Sequence, residues 1–124
     1  MPKAHPILLV EDHEDSREAL TLLLRSSGFD VVSSPDGEDA WSRLQSGLRP
    51  CLILLDLYMP GIDGLAFRRQ QLADDRVADI PVVMLSAGGR AAESAATRLG
   101  THFVRKPADL PDLLAHLHRH CSAN

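Results

Sequence analysis

Five short apolar runs, each followed by a segment with helical spacing of apolar residues, set the main constraint on the fold of this chain of 124 residues. Short runs that stop at polar residues are typical of strands buried on both faces of a sheet. The runs are Ile7–Val10, Val31–Ser33, Leu52–Asp56, Val82–Ser86 and Phe103–Val104. Strands that alternate with helices pair in parallel through right-handed crossovers. The sequence therefore predicts an α/β fold, an open doubly wound parallel sheet with helices on both faces.

The start of the first helix has a recognisable signature. Asp15, followed three residues later by Glu18, matches a capping box, and Gly28 is placed to end the helix. We expect this helix to begin directly after Asp15. The later helices are predicted near residues 38–45, 64–73, 91–99 and 110–118.

Size and composition predict one soluble domain. A mass of 13.5 kDa, with 44% hydrophobic and 24% charged residues, fits a single globular domain over residues 1–124 with no output domain. The net charge of −4 argues against direct binding of nucleic acid, which requires a basic surface. The longest apolar stretch, Cys51–Leu55, is too short to span a bilayer, and the N-terminus lacks a secretory signal. We expect a cytoplasmic protein with no membrane partner.

Cysteine and histidine carry weaker signals. Cys51 and Cys121 form neither a disulfide framework nor a metal-knuckle spacing, so we expect two free thiols. His116 and His120 would share a helix face, where a borderline metal could bind. Histidines near a helix C-terminus are also favoured by the helix dipole, which is the simpler interpretation.

Polar residues end four of the predicted strands. Glu11 and Asp12 follow the first run, Asp56 and Ser86 end the third and fourth, and Lys106 follows the fifth. Because ligands of open parallel sheets bind at the carboxyl ends of the strands, these side chains are the candidate site.

The order of these residues resembles the receiver domain of two-component response regulators, of the chemotaxis response regulator type. The resemblance is carried by the acidic pair, by CLILLDLYMPGIDG around Asp56, by LSA at Ser86, which lies thirty residues further on, and by FVRKP around Lys106. It covers nearly the whole chain. It implies a flavodoxin-like (βα)5 sandwich with strand order 2-1-3-4-5, and a cis peptide bond before Pro107.

A magnesium site follows from the acidic residues. Glu11, Asp12 and Asp56 supply only hard oxygen ligands, which suit Mg²⁺. The resemblance adds the backbone carbonyl of Tyr58. We expect Asp12 to bind the metal directly and Glu11 to bind it through water.

The resemblance also implies a function. Asp56 would accept a phosphoryl group from the phosphohistidine of a sensor histidine kinase or histidine phosphotransfer protein, with Lys106 neutralising the phosphoryl oxygens and Ser86 donating a hydrogen bond. Ser86 would then move inward and let Phe103 turn toward the core, which would signal to a downstream protein. Such a switch catalyses only its own phosphorylation and dephosphorylation, as a monomer or weak dimer.

Three other functions fit part of this pattern. A phosphorylation-independent adaptor with the same fold is the main alternative. A phosphatase of the haloacid dehalogenase type needs a second acid two residues after the nucleophile, where this chain has Tyr58. A flavodoxin-like cofactor binder needs a phosphate-binding loop after the first strand, where Glu11 and Asp12 would repel the phosphate.

Overall fold

A computed structural model describes residues 5–106 and 110–121 of the protein. Strands and helices alternate along the described chain, which confirms the predicted α/β class. The elements are β1 (Ile7–Val10), α1 (Glu14–Ser26), β2 (Val31–Ser34), α2 (Gly37–Gln45), β3 (Leu52–Asp56), α3 (Gly64–Leu72), β4 (Val82–Ser86), α4 (Arg90–Arg98), β5 (His102–Arg105) and α5 (Leu110–His120).

The five strands form one parallel sheet in the order β2-β1-β3-β4-β5, as the resemblance implied. The chain runs from β1 outward to β2 and then returns to the other side of β1 to form β3. This change of direction is the switch point at which ligands of such sheets bind. The pairing of Val10 with Leu55 and of Ser86 with Arg105 brings the strand ends to one edge.

The sheet is buried on both faces, as its continuous apolar strands require. One core cluster packs α2, α3 and α4 on the sheet, with Phe67 fully buried and its ring edge-on to Trp41 at 6.0 Å. The other packs α1 and α5 on the opposite face through Leu24, Leu113 and Leu117. None of the helices in residues 5–106 and 110–121 has the length and hydropathy of a membrane span.

The predicted capping box is wrong. Helix α1 begins at Glu14, its N-cap is His13, and no side chain caps it. Asp15 lies inside the first turn. Its negative charge interacts favourably with the helix dipole there, but its side chain makes no capping hydrogen bond. The path of the chain leaving β1 decides where the helix begins. The spacing of residues in the sequence does not encode that path, so the capping-box pattern predicted the wrong start.

The prediction of two free thiols is also wrong. Cys51 and Cys121 form a disulfide, with their Cα atoms 5.4 Å apart. Cys51 precedes β3 and Cys121 follows α5, so the two meet only because α5 packs over the start of the central strand. A separation of 70 residues leaves no local spacing pattern for the sequence to show.

Candidate functional site

Four strand ends converge at the carboxyl edge of the sheet. The Lys106 ammonium donates to Glu11 Oε1 at 2.8 Å and to Asp56 Oδ2 at 3.1 Å. One carboxylate oxygen from each of Glu11, Asp12 and Asp56 lies within 4.8 Å of the others. The structure therefore brings together three acids and one lysine that the sequence places up to 95 residues apart.

The β3–α3 loop fixes Asp56 at the floor of this pocket. The Tyr58 backbone N–H donates to Asp56 Oδ1 at 3.2 Å. The Gly64 N–H donates to the Leu57 carbonyl at 2.9 Å, which folds α3 back against the strand end. A methyl group at Gly64 would lie 2.8 Å from the Asp56 carbonyl oxygen, so this close approach requires glycine. Both Asp56 carboxylate oxygens thus have defined partners.

The surroundings of Glu11 disfavour its negative charge. Its side chain is 1% exposed, and its Oε2 is buried with no hydrogen-bond partner among the described residues. Burial, together with the hydrogen bond and charge of Asp56, raises the pKa of Glu11 to about 7, although Lys106 acts in the opposite direction. Burial alone would lower the pKa of Lys106, but Glu11 and Asp56 outweigh it and the pKa is raised. The single positive charge of Lys106 does not fully offset the negative charges of the three acids.

The pocket fits a hard divalent cation. Its donor atoms are carboxylate oxygens, the buried Glu11 Oε2 has no partner, and Asp12 is exposed, so an ion from solvent can reach it. A cation there would also offset the mutual repulsion of the three acids.

Ser86 and Tyr58 border the pocket. The Ser86 side chain is fully buried, and its Oγ accepts a hydrogen bond from the Gly88 N–H at 2.9 Å. A methyl group at Gly88 would lie 3.1 Å from both Ser86 Oγ and the Tyr58 hydroxyl, and 2.8 Å from the Ala92 Cβ. The exposed Tyr58 ring therefore reaches over to the β4–α4 loop.

A family model described as the response regulator receiver domain matches residues 7–118. This chain is a response regulator receiver domain. Residues 5–106 and 110–121 contain the acidic pocket in which receiver domains generally bind Mg²⁺.

This receiver domain is similar to several bacterial regulators. It is 35% identical over 117 residues to the phosphate regulon transcriptional regulatory protein PhoB of Escherichia coli, covering 92% of this chain and 50% of PhoB. It is 43% identical over 81 residues to the DNA-binding response regulator MtrA of Mycobacterium tuberculosis, covering 65% of this chain and 34% of MtrA. A solved response regulator receiver protein from Pseudomonas putida has a TM-score of 0.85 at 31% identity, covering 95% of this chain and 99% of that one.

The chain spans half or less of the length of the curated relatives named here. The domain matched by the family model is the receiver, and the single-domain organisation over residues 1–124 stays a prediction.

Two predicted features of the receiver domain, the movement of Phe103 and the cis bond before Pro107, do not belong to the acidic cluster. Phe103, on β5, is half-buried and packs against the core cluster of α2, α3 and α4. Its predicted movement stays a prediction. Pro107 and the predicted cis bond before it lie outside the described residues.

Arg17 supports the receiver pocket, a role that the sequence did not predict. The Arg17 guanidinium donates to the backbone carbonyl of Glu11 at 3.0 Å and lies 3.5 Å from that of Asp12. It holds the acidic loop from the first turns of α1. The only signal in the sequence was a basic residue five positions after the acidic pair.

Proposed function

We propose that this receiver domain accepts a phosphoryl group on Asp56 from a partner phosphohistidine, in a reaction that depends on Mg²⁺, and passes the signal to a protein target. The observation that carries this proposal is the Lys106 ammonium, which contacts both Asp56 and Glu11 beside a third acid. A lysine with only a structural role would be satisfied by one carboxylate, whereas Lys106 contacts two.

The residues of the pocket suit phosphoryl transfer. Glu11, Asp12 and Asp56, with the Tyr58 carbonyl, are the proposed Mg²⁺ ligands, and the ion when bound supplies positive charge to the phosphoryl oxygens. A carboxylate oxygen of Asp56 attacks phosphorus, the P–N bond to histidine breaks, and the imidazole nitrogen keeps the electron pair. Lys106 neutralises a phosphoryl oxygen. Ser86 Oγ accepts from Gly88, so its own hydrogen is available to donate to another.

The partners follow from this chemistry. The donor is a sensor histidine kinase or a histidine phosphotransfer protein, and the target is a downstream protein. The acidic net charge argues against direct binding of nucleic acid by this domain. We propose that it works in the cytoplasm as a monomer or weak dimer and that it catalyses no reaction besides its own phosphorylation and dephosphorylation.

The test is labelling with a small phosphodonor, acetyl phosphate, with Mg²⁺ and with EDTA. We expect one hydroxylamine-sensitive phosphate per chain with Mg²⁺ and background labelling with EDTA. An adaptor that works without phosphorylation would show background labelling in both, which would contradict the proposal.

Asp12 gives a quantitative test of the metal site. Asp12→Ala is expected to weaken Mg²⁺ binding by about 1–3 kcal/mol, because a charged ligand is lost. Loss of its repulsion with the other acids should also slightly stabilise the metal-free protein. Titration calorimetry with Mg²⁺ measures the change. The control is Asp79→Ala, which removes the same charge from an exposed position, and equal Mg²⁺ affinity in both variants would rule out Asp12 as a ligand.

Tyr58 is expected to prolong the phosphorylated state. Its hydroxyl lies beside Gly88 of the β4–α4 loop, so the ring would hinder a water that attacks the phosphoryl group. Tyr58→Ala should shorten the phosphate lifetime, measured as loss of label after removal of the donor. Tyr58→Phe keeps the ring and should keep most of the lifetime. An unchanged or longer lifetime in Tyr58→Ala would show that the ring does not shield the phosphate.

Phe103 is expected to report the conformational switch. Movement of Ser86 toward the phosphoryl group would leave space beside β4 into which the half-buried ring can turn. A differential stabilisation of about 1–3 kcal/mol would shift the population roughly tenfold to hundredfold. Aromatic NMR with and without beryllofluoride should show a changed environment for Phe103, whereas the fully buried Phe67 stays the same. Identical Phe103 signals in both states would place the switch elsewhere.

A further inference from the structure

Three imidazoles from two elements meet on the surface formed by β5 and α5. The ring centroid of His102, on β5, lies 4.5 Å from that of His116 and 6.4 Å from that of His120, both on α5. His116 and His120 are one helical turn apart, so they share a face of the helix. The cluster contributes nothing to the acidic pocket or to the proposed phosphoryl transfer.

The state of His116 suits a metal ligand. Its Nε2 lies 3.6 Å from the Asp112 carboxylate, one turn earlier on α5. Its Nδ1 is buried and has no hydrogen-bond partner among the described residues. An imidazole that keeps its proton on Nε2, the side that faces the carboxylate, has a lone pair on Nδ1. A carboxylate beside the second ring nitrogen is common around histidines that bind metals.

The two imidazoles on α5 also favour the neutral form that metals require. Burial first, and then the nearby charge of His102, lower the pKa of His116 and of His120. Arg119 acts on both in the same direction, while Asp112 partly opposes the shift at His116. At neutral pH the two helical rings therefore offer lone pairs rather than positive charge.

We propose that His102, His116 and His120 form a binding site for a borderline divalent cation such as Zn²⁺. Imidazole nitrogen is a preferred ligand of Zn²⁺, whereas the carboxylates of the acidic pocket suit Mg²⁺, so the domain has two sites of different ligand chemistry. Among the described residues, only the acidic cluster already has its ligand atoms within 4.8 Å of one another. The rings of His102 and His120 are exposed, so they would be free to rotate until their nitrogens converge on the ion with His116.

Occupation of this site would join β5 to the last turns of α5. The helix packs on the sheet through Leu113 and Leu117, on the side that faces the core. The ion would add a further attachment at the edge of that interface, besides the Cys51–Cys121 disulfide that already ties the end of α5 to the start of β3. The inference does not rest on the proposed phosphoryl transfer, because none of the three histidines contributes to the acidic pocket.

The test is a Zn²⁺ titration of the full chain, with its disulfide intact, in excess Mg²⁺ and in competition with a chromophoric chelator. We expect one site with micromolar affinity. His102→Gln and His116→Gln should each weaken it at least tenfold. His118→Gln is the matched control, since His118 lies on the same helix but its ring packs against Phe29 at 5.2 Å, and it should leave the affinity unchanged.

Co²⁺ provides an independent readout. The chain should give the visible absorption bands of nitrogen-ligated Co²⁺, and His120→Gln should weaken them while His118→Gln does not. Unchanged Zn²⁺ affinity in His102→Gln and His116→Gln would overturn the proposal. So would an equal loss in His118→Gln, or the absence of micromolar binding to the unsubstituted chain.

Discussion

Asp56→Asn is expected to reduce phosphoryl labelling to background while the fold stays intact. The amide is nearly the same size as the carboxylate, and its oxygen can still accept the hydrogen bond from the Tyr58 N–H. It is not a nucleophile toward phosphorus, so the acyl phosphate cannot form. Loss of a negative charge beside Glu11 should also lower the raised pKa of that residue and slightly stabilise the metal-free protein.

The matched control is Asp63→Asn, seven residues further along the same loop. Asp63 caps α3 by accepting from the Ala66 N–H at 2.8 Å, and asparagine is an equally good N-cap. This variant should be labelled like the original chain. Labelling is measured with acetyl phosphate and Mg²⁺, and full labelling of Asp56→Asn would assign the phosphoacceptor to another residue.

Phe67→Ala is expected to cost about 3–5 kcal/mol in the free energy of unfolding. The Phe67 side chain is fully buried and packs edge-on to Trp41 between α3 and α2, so its removal leaves a cavity that rigid neighbours cannot fill. Because domains of this size are stabilised by about 5–15 kcal/mol in total, this is a large fraction. Gly64, at the start of the same helix, packs against the Asp56 carbonyl. Loss of Phe67 should therefore also reduce the extent of phosphorylation at Asp56.

Leu22→Ala is the control for that experiment. Leu22 lies on α1 and is 67% exposed, so its truncation should change the free energy of unfolding by less than about 0.5 kcal/mol. Urea denaturation followed by circular dichroism measures both variants. Equal costs for the two would mean that Phe67 does not pack as the structure places it.

Much of the fold and of the acidic pocket could be predicted from the sequence. Apolar runs such as Leu52–Leu55 have the length and continuity of buried parallel strands, and the observed bounds of β3 and β4 match the predicted ones. Since parallel strands end at one edge, the residues that end the runs had to meet there. Glu11, Asp56 and Lys106 were therefore predictable as neighbours, as the distances confirm.

Tertiary structure alone decided the features that depend on contacts between distant segments. The Cys51–Cys121 disulfide exists because α5 ends beside the start of β3, and the convergence of His102 with His116 exists because β5 lies next to α5. The start of α1 at Glu14 and the raised pKa of Glu11 likewise depend on the path and burial of the chain. Local periodicity encodes which residues face the core and where strands end, because these depend on neighbours a few positions away. Pairing across 70 residues and the desolvation of a carboxylate depend on packing in three dimensions, which no local pattern records.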